Sequence, residues 1–282
     1  MFMRIVNYLR NLRDGQRISI ALSKGSAMLK SREVDLKYPA SWEFSGFSQN
    51  GEDGILEVLR HQLTTSNRYF IEIGSADGIE NNSAWLAVAE KYNGLMIEGN
   101  RKSVEQAKVG ILSYSLGVEC HNMFVTVDSV EELRSMILYI DPDVFSLDID
   151  GNDYHVARAI IETGIRPKIC VVEYNSAFGP DRAVTIEYNE RFSFKDAHPT
   201  HLYYGVSLAG WRKYFESIGY RFITVDRNGV NVFFVAPEYF KPEFLDGIEG
   251  NLFAENFYQL MKFKVTHEKQ FQLISDQKFM SI

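Results

Sequence analysis

Two acidic clusters in the second half of the 282-residue chain carry the clearest chemical signal. Asp148, Asp150 and Asp153 fall within six residues, after the apolar run 144–147, and Glu173, Tyr174 and Asn175 stand together after the apolar run 169–172. If both runs are parallel strands, their carboxylate and amide oxygens emerge on one sheet edge, a set of hard donors suited to Mg2+, Mn2+ or Ca2+. Asp150, Glu173 and Asn175 are the expected metal ligands. Asp148 and Asp150 share one face for as long as the strand lasts. Asp153 could equally sit in the first turn of the next helix, where a carboxylate favours the positive end of the dipole, and 150–153 then reads as a turn with its cap. His155 and His201 titrate near neutral pH and could take a proton, although each reads as well as a packed or surface histidine. The catalytic candidates are Asp150, Asp153 and His155.

A second constellation lies upstream. The segment Glu72-Ile73-Gly74-Ser75-Ala76-Asp77-Gly78 runs out of an apolar stretch and into a helix-like one. Its glycines let the backbone approach a ligand, and its amides and the following helix N-terminus favour a carboxylate. The spacing is GxxxG rather than GxGxxG, so the dinucleotide fingerprint is absent. Glu98 closes the next strand, 26 residues after Glu72. A carboxylate there can accept both hydroxyl hydrogens of a ribose, a group that NAD and S-adenosylmethionine share. A glycine turn or a solvated strand end would also account for each feature taken singly.

Such groups act only if the chain brings their strand ends together. Strands are expected at 69–73, 95–98, 118–120 with 124–127, 144–149 and 169–173. Helices are expected between them at 84–92, capped by Ser83, at 130–139, and at 154–163, closed by Gly164, with a further helix at 55–63. Strand, helix, strand within about 30 residues is a βαβ unit, which implies a parallel sheet with its ligand beyond the carboxyl ends of the strands. The central strands are apolar throughout, as when helices cover both faces. After a helix at 207–218, the β runs 221–225 and 230–235 flank Asn228-Gly229, a hairpin signal. Parallel strands ending in an antiparallel hairpin fit the Rossmann-like class I methyltransferase fold better than an all-parallel dinucleotide fold, and favour S-adenosylmethionine over NAD.

The strings SQNGEDGIL (48–56), FIEIGSADGIENNSAWL (70–86), LMIEGN (95–100), VFSLDIDGNDYHV (144–156), VVEYNSAFGP (171–180), YYGVSLAGW (203–211) and GVNVFFV (229–235) resemble the FkbM-type methyltransferases over roughly 46–236. The resemblance implies a class I fold, S-adenosylmethionine as methyl donor, and O-methylation, often of sugars or secondary metabolites. It implies cofactor contacts from Gln49, Asn50, Glu52 and Asp53, in a segment folded over the methionine end, and from Glu72, Gly74, Ala76, Asp77, Gly78, Glu98 and Asp148. Better-known members carry a lysine-aspartate-valine-glutamate-glycine pattern at the fourth strand, where this chain has Leu147-Asp148-Ile149-Asp150-Gly151. The acidic sets are also similar to those of metal-dependent O-methyltransferases. Asp148 or Asp150 matches the first ligand there and Glu173 and Asn175 the later ones, with Tyr174 interposed.

Composition bounds the rest. Hydrophobic residues make up 45% and charged residues 24%, a globular balance that excludes disorder and coiled coil as whole-chain descriptions. A net charge of −7 opposes a general nucleic-acid footprint. Cys120 and Cys170 lie in apolar stretches with no CxxC, which suggests buried thiols in a reducing compartment. No apolar run is long enough for a transmembrane span, and the N-terminus lacks a secretory h-region, so a cytoplasmic location is expected. The domain proper is expected at 46–240, with an insertion at 176–205 whose aromatic and polar residues suit a sugar or glycan acceptor, Tyr174, His201 and Tyr204 among the contacts.

Residues 1–45 read as a helical appendage, with Ile5, Leu9 and Leu12 on one face and Arg4, Arg10 and Arg13 on the other, interrupted at Asp14-Gly15. It packs on the domain or on a second subunit in a homodimer, or, as the second reading, touches a membrane surface. Residues 241–282 read as a helical tail. Two other functions compete with methyl transfer. One is NAD-linked redox chemistry, disfavoured by the missing GxGxxG and by the hairpin. The other is a non-enzymatic binding protein on a methyltransferase-like fold, disfavoured by the intact Glu72, Gly74, Gly78 and Glu98.

Overall fold

In a computed structural model, which describes residues 2–282, seven strands form one sheet in the order β3-β2-β1-β4-β5-β8-β7. The strands are β1 (Tyr69–Ile73), β2 (Asn93–Glu98), β3 (Val118–Asn122), β4 (Val144–Leu147), β5 (Ile169–Glu173), β7 (Arg221–Val225) and β8 (Asn231–Val235). The first five are mutually parallel, and β8 inserts antiparallel between β5 and β7. The hairpin therefore folds back so that its second strand, not its first, joins the parallel sheet. Strand order reverses between β1 and β4, with β2 and β3 added on one side and β5 on the other, which places the topological switch point, and so the ligand crevice, at the carboxyl ends of those two strands.

Period-two alternation divides the core into two layers, as expected for a sheet covered on both faces. Phe70, Met96, Val144, Val171 and Phe233 point to one side, under α1 (Phe2–Ser31), α2 (Glu52–His61), α3 (Ala84–Val88) and α4 (Arg101–Val109). Ile71, Ile97, Phe145, Val172 and Phe234 point to the other, under α5 (Val130–Met136), α6 (Asp153–Glu162) and α8 (Leu208–Ser217). Buried Lys168 and Asp143 pair at 2.8 Å beside the starts of β4 and β5, at the end of the sheet away from the crevice.

Several expectations are corrected. The third strand ends at Asn122, and 124–127 is a loop. Ser83 makes no side-chain cap; Asn81 Oδ1 instead accepts from the Ser83 and Ala84 amides. Helix α4 was not expected; Asn100 caps it by accepting from the Lys102 and Ser103 amides. The N-terminal helix runs unbroken through Asp14-Gly15. Asp14, Ile18, Ala21 and Gly25 recur on one face and are buried, and Arg13 and Arg17 neutralise Asp14. A Cβ on Gly25 would lie 2.3 Å from the Trp85 ring, so only glycine lets the helix axis come this close. The side chains of Arg4, Ile5, Leu9 and Arg10 lie outside the described residues.

The tail is not simply helical. After α9 (Pro242–Asp246), α10 (Phe257–Phe263) and α11 (His267–Gln272) it ends in β9 (Phe279–Ser281), which pairs antiparallel with β6 (Val184–Ile186) of the insertion. The insertion also holds the short α7 (Phe194–Ala197). Insertion and tail share a small core of Ala177, Phe178, Leu202 and Ile274, with Phe271 and Phe279 packed around it. No helix among the described residues is long and apolar enough to cross a membrane.

Candidate active site

The strand ends at the switch point converge on an acid-lined cleft. At the tip of β1 the backbone turns at Gly74, with φ +89°, and a Cβ there would sit 1.7 Å from the Asp148 carbonyl oxygen at the tip of β4. No L-side chain fits, so the loop 74–78 presses directly against its neighbour. Glu98, at the tip of β2, accepts from the Ala76 amide at 2.9 Å and from the Asn100 amide at 2.6 Å. One lone-pair direction on each oxygen is thereby engaged, and the carboxylate is fixed half-exposed at the rim.

Between these tips and the segment 48–52 lies a cleft of about 100 Å³, lined by Glu52, Glu72, Glu80 and Asp148 together with Asn82 and Asn231 among others. Four carboxyl groups line it and no Lys, Arg or His does. Glu72 is buried; its Oε1 accepts from Ser146 Oγ at 3.1 Å, and its Oε2 has no partner. Burial lifts its pKa to about 7. Glu52 is held by Asn231 Nδ2 at 2.8 Å and by the Asn50 amide at 2.6 Å. Gln49 and Glu80 hydrogen-bond across the mouth.

Beside the cleft, Asp148, Asp150 and Glu173 each direct one carboxylate oxygen to a common point, the three lying within 4.8 Å of one another. Burial, then mutual repulsion, holds the Asp148 and Glu173 carboxyls well above the usual range. Asp150 is also raised, by burial, with Lys195 opposing the shift. Its backbone adopts φ +53°, in the left-handed region. Three close carboxylates in this state bind either protons or a cation. The donor set of three hard oxygens fits Mg2+ or Mn2+.

Other expected site residues have different surroundings. Asn175 donates to the Leu202 and Tyr204 carbonyls and accepts from the Ala177 amide, so its side chain is held by the insertion backbone, while the acidic triad consists of Asp148, Asp150 and Glu173. Asp153 accepts from the Ile149 and Gly151 amides at 2.9 and 2.8 Å, which builds the turn that presents Asp150; burial raises its pKa to about 6. His155 meets the Ile186 carbonyl at 3.0 Å and packs on Tyr188, with burial lowering its pKa. Asp53 accepts from the Gly46, Phe47 and Ser48 amides and shapes that loop from within. Asp77 pairs with Arg17 of α1. Tyr174 donates to the Ala254 carbonyl at 2.7 Å and pins the tail. His201 is exposed, its ring edge-on to Phe194. Tyr204 does reach the triad, its hydroxyl 3.4 Å from Glu173 Oε1.

Sequence reading missed four contributors. Ser146 fixes Glu72. Asn231, from the hairpin, fixes Glu52. Gln259 of α10 donates to the Tyr204 hydroxyl at 3.3 Å, so the tail supports the triad. Phe124, 61% exposed, lies beside Gly99 at the β2 and β3 tips as a flat apolar surface next to Glu98. Only an aromatic exposed at a strand end could have flagged Phe124; the others are visible only once distant segments meet.

No family model matches the chain, and no curated protein does. Among solved structures, the chain is similar to an O-methyltransferase from Bacillus cereus in complex with SAH (16% identity, 78% of this chain and 89% of that one, TM-score 0.43). It is also similar to the O-methyltransferase TomG from Streptomyces achromogenes, of tomaymycin synthesis, in complex with SAM (19% identity, 67% and 80%, TM-score 0.42). At such identities and scores this likeness carries nothing about activity.

Proposed function

We propose that the chain transfers a methyl group from S-adenosylmethionine to a hydroxyl oxygen of a sugar, glycan or glycosylated metabolite, with a divalent cation held by Asp148, Asp150 and Glu173. The observation that carries this reading is the cleft at the β1/β4 switch point, lined by four carboxyl groups and no basic residue, of which only Glu80 pairs with an arginine among the described residues, Arg17 at 3.7 Å; Glu98 stands at the tip of the neighbouring β2 and holds the Ala76 amide of the same loop. The donor carries a sulfonium, an ammonium and a carboxylate at its methionine end, a net positive charge, and a ribose at the other. The cleft suits the cationic end by charge and Glu98 suits the ribose. At about 100 Å³ the cleft holds only part of such a molecule, small-molecule sites usually starting near 300 Å³. The nucleoside then lies over Ala76 and Glu98, with Phe124 as the adenine's platform.

The acceptor enters from the insertion. A groove of about 490 Å³ there is lined by Tyr188, Phe192 and Tyr203 together with Asn189, Ser193 and Asp196. Flat rings with polar groups between them suit the alternating faces of a sugar. Phe192 also packs over Gly151, next to Asp150, so a hydroxyl leaving the groove meets the triad. A bound divalent cation would lower the pKa of that hydroxyl. The Asp150 oxygen not offered to the cation takes the hydroxyl proton as the oxygen attacks the methyl carbon in line, Asp150 being exposed while Glu173 is buried. The carbon–sulfur bond breaks, its electron pair stays on sulfur, and S-adenosylhomocysteine leaves as a neutral thioether. Tyr204, held by Gln259, orients Glu173.

Calorimetric titration with S-adenosylmethionine, S-adenosylhomocysteine and NAD tests the donor assignment. Binding of the two adenosyl compounds with no NAD signal is expected. Binding of NAD alone, or of none of the three, overturns it.

A further inference from the structure

Charge along this chain is strongly segregated. Residues 1–32 hold seven Lys and Arg against the single acid Asp14, a net +6, so the remaining 250 residues of the −7 chain carry −13. Nearly all of that basic segment is α1. Its buried face, Asp14, Ile18, Ala21 and Gly25, is spent on the domain, and Arg17 is paired with Asp14 and Asp77. The other face meets no partner among the described residues. It carries Tyr8, Leu12 and Ile20, which are 63%, 48% and 67% exposed. Arg13 flanks them, as do Lys24 and Lys30, which make no ion pair with any described residue. Ile20 and Lys24 also line an open groove of about 640 Å³ that shares Ser48, Gln49 and Glu80 with the catalytic cleft.

We infer that α1 docks the protein on an anionic phospholipid bilayer through its exposed face. Large aliphatic and aromatic side chains interspersed with free cations on one helix face suit the headgroup boundary, where the apolar groups enter and the cations meet lipid phosphates. A nucleic acid would use the cations and leave Leu12 and Ile20 in water. A second copy of α1 would bring like charges together. The acidic body is repelled by the same surface, so the helix is the side that approaches.

Co-sedimentation with vesicles of phosphatidylcholine containing one quarter phosphatidylglycerol, and of phosphatidylcholine alone, tests this. Binding to the anionic vesicles is expected at 0.1 M salt, with weak binding to the neutral ones and loss at 0.5 M salt through screening. The double variant Lys24→Glu/Lys30→Glu should weaken partitioning by about 25-fold or more, and Ile20→Asp should weaken it with the cations intact. Neither site packs in the core, so melting temperatures should stay at the wild-type value. Three outcomes overturn the inference: no binding to anionic vesicles, equal binding to both vesicle types, or unchanged partitioning in folded variants. Light scattering that shows a dimer dissociated by Ile20→Asp, without vesicle binding, assigns the face to a second copy instead.

Discussion

Replacing Glu72 with glutamine should move stability and donor binding in opposite directions. The Glu72 carboxyl is 2% exposed, keeps one hydrogen bond from Ser146 and has one buried oxygen with no partner. Burial moves its pKa from 4.5 to about 7. A folded value above the unfolded one means that the fold retains a proton the unfolded chain releases. That contribution to stability is complete below about pH 4.5 and is lost as pH rises through about 7. The difference corresponds to roughly 3 kcal/mol at full ionisation. Glutamine is nearly isosteric, stays neutral and can still accept from Ser146. The variant should therefore melt like the wild type at pH 5 and at a higher temperature at pH 8. Donor binding runs the other way, because a sulfonium or ammonium prefers the carboxylate. Wild-type affinity should rise by up to about tenfold per pH unit from 5 to 7 and then level off. The variant should bind with little pH dependence, matching the wild type at pH 5 and falling about 100-fold below it at pH 8. Thermal melts and calorimetry at four pH values read both effects. Parallel affinity profiles, or a variant less stable than the wild type at pH 8, would refute the role given to this carboxyl.

The triad and the glycine turn give two further tests. Because Asp148, Asp150 and Glu173 all hold protons above the usual carboxylate range, Mn2+ binding should release protons and tighten with pH, and Glu173→Gln should weaken it by about tenfold or more, read by titration calorimetry in buffers of different ionisation heat. A pH-independent affinity would remove the metal role. In Gly74→Ala, a methyl 1.7 Å from the Asp148 carbonyl at φ +89° must force the β1 and β4 tips apart. It should cost about 2 kcal/mol or more in urea denaturation and abolish donor binding; an unaltered midpoint would contradict the close contact.

The apolar strand runs, the glycine loop and Asn228-Gly229 were enough to place the parallel sheet and its hairpin, because period and turn chemistry are local properties. The helix 101–109 went unseen because its stretch is polar and its cap, Asn100, sits beside the Glu98 that drew attention as a ligand. Among the site residues, Glu72, Gly74, Glu98, Asp148 and Glu173 stand at strand tips because each closes or borders an apolar run, and Asp150 lies two residues beyond Asp148. Asp53, Asp153 and Asn175 resemble them in type and spacing, yet their side chains satisfy nearby backbone amides. A short polar side chain near a turn finds local partners first, and sequence spacing does not show which oxygen is left over.

By itself, then, the amino-acid order determined which apolar runs become strands and in which direction they run, and with them the edge of the sheet where chemistry can occur. Only the tertiary structure decided that Asp148 converges with Asp150 and Glu173, that Gln259 supports this triad through Tyr204 while Asn231 fixes Glu52 in the cleft, and that the tail closes over the insertion. Strand ends follow from periodicity along the chain. The orientation of a buried polar side chain follows from which donors and acceptors lie within about 3 Å in space, and many of those donors belong to residues far away in sequence.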